Sequence, residues 1–164
     1  MNRPDKPAAT GRHTDHPGVV APPPVIYAAG LVAGALIDLA QPLPLVEAPA
    51  RWVVATVLIV LGIVLAGGGT TLFRRAGTNV QPHKPSTTVV TNGLYRYSRN
   101  PIYVGVTALY LGLAFVANTW WALVLLVPVL IVMHWGVIAR EERYLDAKFG
   151  EAYRGYRAQV RRWL

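Results

Sequence analysis

Arg99-Asn100-Pro101-Ile102-Tyr103 places a cation, an amide and a phenol where a polar, basic loop runs into an apolar stretch. Pro101 suits the first position of a helix, because its missing N–H would be unpaired there anyway. Asn100, just outside, is a good N-cap. Arg99 and the free backbone N–H groups near Pro101 form a set that can hold a carboxylate. Further on, Arg140-Glu141-Glu142-Arg143 ends another apolar run, and its two carboxylates can offset a cation or take a proton. Plainer roles stand beside these. Arg99 can be an interfacial anchor, and Glu141 and Glu142 can pair with Arg143 or Lys148 across a turn. Tyr95, Tyr97 and Tyr103 can be aromatics of a membrane-interface belt.

The elements that must bring these residues together are apolar. Of the 164 residues 53% are hydrophobic and only 15% charged, and mean hydropathy is +0.34, which points to a membrane protein before a soluble one. There is no cysteine, so disulfides, cysteine nucleophiles and thiolate metal sites are excluded. His13 and His16 stand in a polar stretch without further metal donors, and no metal site is expected. The net charge of +8 comes from basic residues that flank apolar runs, a pattern of anionic lipid and membrane topology rather than of nucleic acid.

Taken in order, residues 1–18 read as a disordered tail without the pattern of a signal peptide, and 19–164 as a single domain. The first transmembrane helix is expected over 25–40, with Gly30 and Gly34 as a close-packing face and Asp38 as an interfacial carboxylate at its end. A turn at Gln41-Pro42-Leu43-Pro44 leads to a second helix over 52–73. Gly67-Gly68-Gly69 near its end is not followed by Gly-Lys-Ser/Thr, so it is no phosphate loop. Residues 74–100 form a long polar connection, expected to be an ordered binding loop. A third helix over 101–118, a tight turn at Asn118-Thr119 and a fourth helix to about 139, kinked at Pro128, should form an antiparallel hairpin. From Glu141 to Val160 apolar residues recur at helical spacing, the mark of an amphipathic helix, with an interruption at Gly150. The fold class is therefore all-α: a polytopic membrane protein with four transmembrane helices and a C-terminal amphipathic helix. Lys and Arg gather in the tail, in the middle loop (Arg74, Arg75, Lys84, Arg96, Arg99) and in the C-terminal segment, one (Arg51) stands at the entry to the second helix, and none stands at Asn118-Thr119. By the positive-inside rule, both termini and the middle loop are cytoplasmic in a multi-pass protein of the inner or plasma membrane.

Five pieces follow one another along the chain: Gly93-x-Tyr95, Arg99-Asn100-Pro101-x-Tyr103-x-Gly105, Glu141-Glu142-x-x-Leu145, Phe149-Gly150-x-x-Tyr153-x-x-Tyr156 and Val160-x-Arg162. In this order they resemble the isoprenylcysteine carboxyl methyltransferase family and its relatives, the phospholipid methyltransferases, over residues 78–164. The resemblance implies an integral membrane methyltransferase with a cytosolic pocket for S-adenosylmethionine. Gln81, Val89, Val90, Tyr95, Asn100, Pro101, Tyr103, Glu141 and Glu142 would line the cofactor, and Arg99, Arg140 and Glu141 would be the catalytic residues. The methyl acceptor would be a small or lipid-like amphiphile, a carboxylate among the candidates, arriving from membrane lipid. This chain departs from the family pattern in having Asn100 where a His usually precedes the Pro, and Val137 where the eukaryotic enzymes place a substrate-binding Arg. Two other readings stand beside it: an NADPH-dependent membrane reductase of the sterol-reductase type, and a non-enzymatic membrane scaffold.

Overall fold

The computed structural model describes residues 16–81 and 84–164. Most of the expected tail, His13 included, lies outside the described residues, as do Pro82 and His83. The elements run α1 (Pro23–Ala40), α2 (Ala50–Arg75), a 3-10 turn (Gly93–Arg96), α3 (Pro101–Ala117), α4 (Trp120–Val132), a π-helical turn (Met133–Ile138), α5 (Ala139–Phe149) and α6 (Glu151–Gln159). No strand occurs among the described residues. Three helical segments, Pro23–Ala40, Ala50–Arg75 and Trp120–Phe149, are long and apolar enough to cross a membrane, and Pro101–Ala117 is a shorter apolar helix. Their outward faces carry large apolar side chains: Val53, Val57, Ile63 and Val64 on α2, and Val124 and Val127 on α4, are all more than half exposed. Lipid covers such surface at no hydrophobic cost, and helices satisfy their own backbone there. The chain is thus an all-α polytopic membrane protein.

Small residues decide which helices meet. A Cβ on Gly105 would stand 2.5 Å from the Ala66 nitrogen, and one on Gly62 2.7 Å from the Gly105 carbonyl. One heptad on, Gly112 meets Ile59 and the Ala55 carbonyl. This seam brings the backbones of α2 and α3 together, as small residues do between helices in lipid. Gly34 and Gly30 make the matching approach of α1 to α4, against Ala122 and Val129. The expected α3–α4 hairpin connection is present, but the pairing of these two helices is not the main one. The two helices are joined tightly, with Asn118 left-handed at φ 55° and the Thr119 hydroxyl capping Trp121, but α3 packs chiefly on α2 and α4 chiefly on α1. The Asn118 side chain also accepts from the backbone N–H of Leu45 and Val46, and Asp38 accepts from that of Leu43 at 3.0 Å. These bonds tie both turns of that end together.

At the other end, α4 runs through Pro128 unbroken to Val132. The irregularity comes five residues later than the proline, in the π turn, where the Gly136 carbonyl accepts from the Val20 N–H at 3.1 Å. The segment preceding α1 is therefore laid across the π turn, with Val20 filling the space beside Gly136. Gly150, at φ +53°, separates α5 from α6, so the expected amphipathic helix is two short ones at an angle.

Candidate functional site

A cavity lies at this second end, between the start of α3, the end of α2, the middle loop and α5–α6. The space it outlines, open mouth included, is about 850 Å³. The middle loop forms its roof without regular structure. Instead, side chains hold it: the Thr87 N–H donates to the Thr78 hydroxyl at 2.9 Å, Asn79 donates to the Pro85 carbonyl at 2.8 Å, and the Ser86 N–H donates to the Tyr144 hydroxyl at 3.1 Å. Such bonds satisfy backbone groups that a helix or sheet would otherwise pair.

Two adjacent carboxylates on α5 take different surroundings. Glu141 points to the start of α3, where the Tyr103 hydroxyl donates to it at 2.6 Å. Glu142, 7% exposed, is gripped by two guanidiniums. Arg99 reaches it at 2.9 Å through Nη2, and Arg162 makes a two-pronged contact through Nε at 3.1 Å and Nη2. Neighbours on a helix point about 100° apart, so the two cannot share one environment. Arg162 is held in turn by His134 of the π turn, at 2.9 Å.

The rest of Arg99 is fixed by the C-terminal segment. Its backbone N–H donates to the Arg161 carbonyl at 2.9 Å and its Nη1 to the Arg157 carbonyl at 3.0 Å. Its Nε is buried without a partner among the described residues. Asn100 precedes α3 but its side chain does not cap it; the amide donates to the Arg162 carbonyl at 2.9 Å. The expected N-cap is corrected by that competing bond. Tyr156 donates to the Tyr95 carbonyl at 2.7 Å, so loop, helix start and C-terminal segment form one block.

Tyr95, Tyr153 and Tyr156 line the cavity. Burial is the largest cause that pushes each phenol above its ordinary value, to about 12 for Tyr153. These groups stay protonated at neutral pH. They can donate hydrogen bonds and present ring faces, but they offer no base.

Among the residues singled out in the sequence, Gln81, Val89, Val90, Tyr95, Arg99, Asn100, Tyr103, Glu141 and Glu142 line this cavity. Pro101 is buried at the root of α3 and sets its start without lining the cavity. Arg140 does not line it either; its Nη1 donates to the Gly18 carbonyl at 2.7 Å, on the segment preceding α1. Sequence reasoning gave no role to Phe73, Pro17, Tyr144, Arg162 or His134. Tyr153, Tyr156 and Arg162 were marked by the motifs quoted above, whereas Phe73 and Pro17 carried no signal.

The family profile described as phospholipid methyltransferase matches residues 50–152, which run from the start of α2 to the start of α6. The chain belongs to the phospholipid methyltransferase family. The cavity lies almost wholly on elements of the matched stretch. The chain is also 54% identical over 35 residues to an uncharacterized protein of Haemophilus influenzae, across 21% of this chain and 56% of that protein. It thus spans little more than half the length of that curated relative. No solved structure matches the chain.

Proposed function

We propose that the chain transfers a methyl group from S-adenosylmethionine to the head of a lipid-like amphiphile at the Tyr103–Glu141 pair. The observation that carries this reading is the division of labour between the two glutamates. Glu142 is saturated by Arg99 and Arg162, while Glu141 has a single phenol donor and lines the cavity.

The residues present fit the cofactor. The orphaned, buried Nε of Arg99 is a donor suited to the cofactor's carboxylate. Phe73, Tyr95, Tyr103, Tyr153 and Tyr156 line the same space and suit a sulfonium by cation–π attraction. When bound, S-adenosylmethionine supplies an electrophilic methyl group. The chain contributes mainly position, the larger part of catalysis for such a displacement. Tyr103 orients the Glu141 carboxylate, and that carboxylate can hold a cationic head or accept a proton from it. Arg99 and Arg162 are engaged by Glu142, and Arg140 lies outside the cavity. An acceptor carboxylate would therefore lack a dedicated guanidinium, so an amine head fits this site better than the carboxylate included at the sequence level. The hydrocarbon tail can remain in lipid, which avoids exposing it at about 0.8 kcal/mol per CH₂.

Equilibrium titration of the detergent-purified protein with S-adenosylhomocysteine and with NADPH tests the reading. Binding of the first and not the second is expected; binding of NADPH alone would replace the methyltransferase reading with the reductase one. A transfer assay with labelled cofactor across matched long-chain amines and acids then tests the acceptor, with amines expected to be favoured.

A further inference from the structure

A second cavity opens on the other side of Glu142, enclosing about 750 Å³ with its mouth. Ala139, Glu142, Arg143 and Asp146, within two turns of α5, form one wall; Arg157 of α6 and Arg162 close it. Its acids are already neutralised. Asp146 is paired with Arg154 at 2.9 Å, and Glu142 with Arg99 and Arg162. Its remaining bases are not: among the described residues Arg143 donates only to the Ala139 carbonyl, one turn back on its own helix, and no carboxylate pairs with Arg157. Two guanidiniums thus face a concavity without counter-charge.

The membrane-side rim of this cavity is Trp135, 63% exposed. From it Ile131, Val127 and Val124 run back along α4, spaced by four, four and three, and all are exposed. An arginine-lined hollow thus continues into an apolar stripe, with an indole at the junction, where tryptophan settles between headgroups and hydrocarbon. Paired guanidiniums match a phosphate through forked hydrogen bonds.

We propose that this second cavity binds the phosphate of an anionic membrane phospholipid, one acyl chain lying on the α4 stripe. The site is separate from the reacting pair and does not depend on the methyl-transfer reading. Glu142 and its ion pair with Arg162 form the wall between the two cavities, so the bound phosphate sits against that pair.

The test is native mass spectrometry of the full chain after exposure to equimolar phosphatidylglycerol and diacylglycerol of matched chains. The doubly substituted R143Q/R157Q protein is compared with R74Q/R75Q, which removes the same charge from the end of α2. Arg143 and Arg157 are exposed at the surface, so their replacement leaves the packing intact, and each single substitution serves as a further check. Retained phosphatidylglycerol should fall roughly tenfold or more in R143Q/R157Q, with a partial loss in each single variant, and change less than about twofold in R74Q/R75Q. Equal losses in both double variants, or none in R143Q/R157Q, would overturn the site. Displacement of the lipid by millimolar inorganic phosphate would also overturn the lipid assignment, showing a site for a free anion.

Discussion

At the scale of single residues, the two adjacent glutamates should fail in different ways when replaced. Glu141→Gln keeps an oxygen that can accept from the Tyr103 hydroxyl, so it weakens that bond at a cost of about 1 kcal/mol or less, but it removes the charge facing the cavity. Titration with S-adenosylhomocysteine should show a greater loss of affinity for Glu141→Ala than for Glu142→Ala, per folded molecule; equal losses would count against Glu141. Glu142→Gln instead leaves Arg99 and Arg162 without their shared counter-charge in a nearly enclosed place, a change that costs about 3–5 kcal/mol. Thermal unfolding in detergent should therefore separate Glu142→Gln from Glu141→Gln by several degrees. The residue-level reading of the sequence placed Tyr103 and Glu141 together correctly, 38 positions apart, because a turn nearly midway returns both to one end. It could not tell Glu141 from Glu142 by partner, because Arg162 meets Glu142 only through the bend at Gly150 and the return of the chain past α6.

At the scale of elements, the seam between α2 and α3 is held by the absence of side chains. Gly105→Leu should force the two helices apart, at about 1–3 kcal/mol for overpacking, and so move the Pro101 end that carries Tyr103. Gly67 lies in the same helix with nothing within 4 Å of an added Cβ, so Gly67→Ala should be neutral or stabilising by up to about 1 kcal/mol. Comparison of the two variants' melting temperatures checks this; equal destabilisation would mean that helix composition, not the close approach, governs. The start of α3 was legible because Pro101 sets it, whereas α1 begins at Pro23, two residues before the expected start at Val25. The π turn was not legible, because Met133–Ile138 continues the apolar run of α4 without a local break signal, and its wider turn is accompanied by tertiary bonds to Val20 and Arg162. Nor was the pairing of α3 with α2, since hydropathy gives helices but not neighbours.

At the scale of the whole molecule, the cavity depends on a segment remote in sequence. The carbonyls of Arg157, Arg161 and Arg162 hold Arg99 and Asn100. A chain cut after Val160 retains every residue that lines the cavity and should still lose cofactor binding, measured by the same titration; undiminished binding would show that α3 holds the mouth alone. Orientation belongs to this scale too. The end built from Leu43–Val46 and Asn118–Trp121 has one basic residue beside it, Arg51 at the start of α2, while the cavity end is rich in arginine. If the termini lie in the cytoplasm, as the Lys and Arg pattern predicts, a cysteine placed at exposed Ala117 should be labelled from outside the cell and not from the cytoplasm.

The unequal lengths of α2 and α3 have a mechanical consequence. At 1.5 Å per residue the 26 residues of α2 reach about 39 Å, but the 17 residues of α3 reach only about 26 Å. A typical hydrocarbon layer is about 30 Å thick. Since the seam binds α3 alongside α2, the shorter helix cannot tilt or slide independently to make up the shortfall. Either the bilayer thins around it or the Pro101 end sits below the headgroup layer, drawing Tyr103 and Glu141 into the oily margin. Transfer to a long-chain acceptor in vesicles should then vary with the acyl length of the host lipid, fastest in thin bilayers and falling as they thicken. A rate independent of thickness would mean that the mouth stands clear in water.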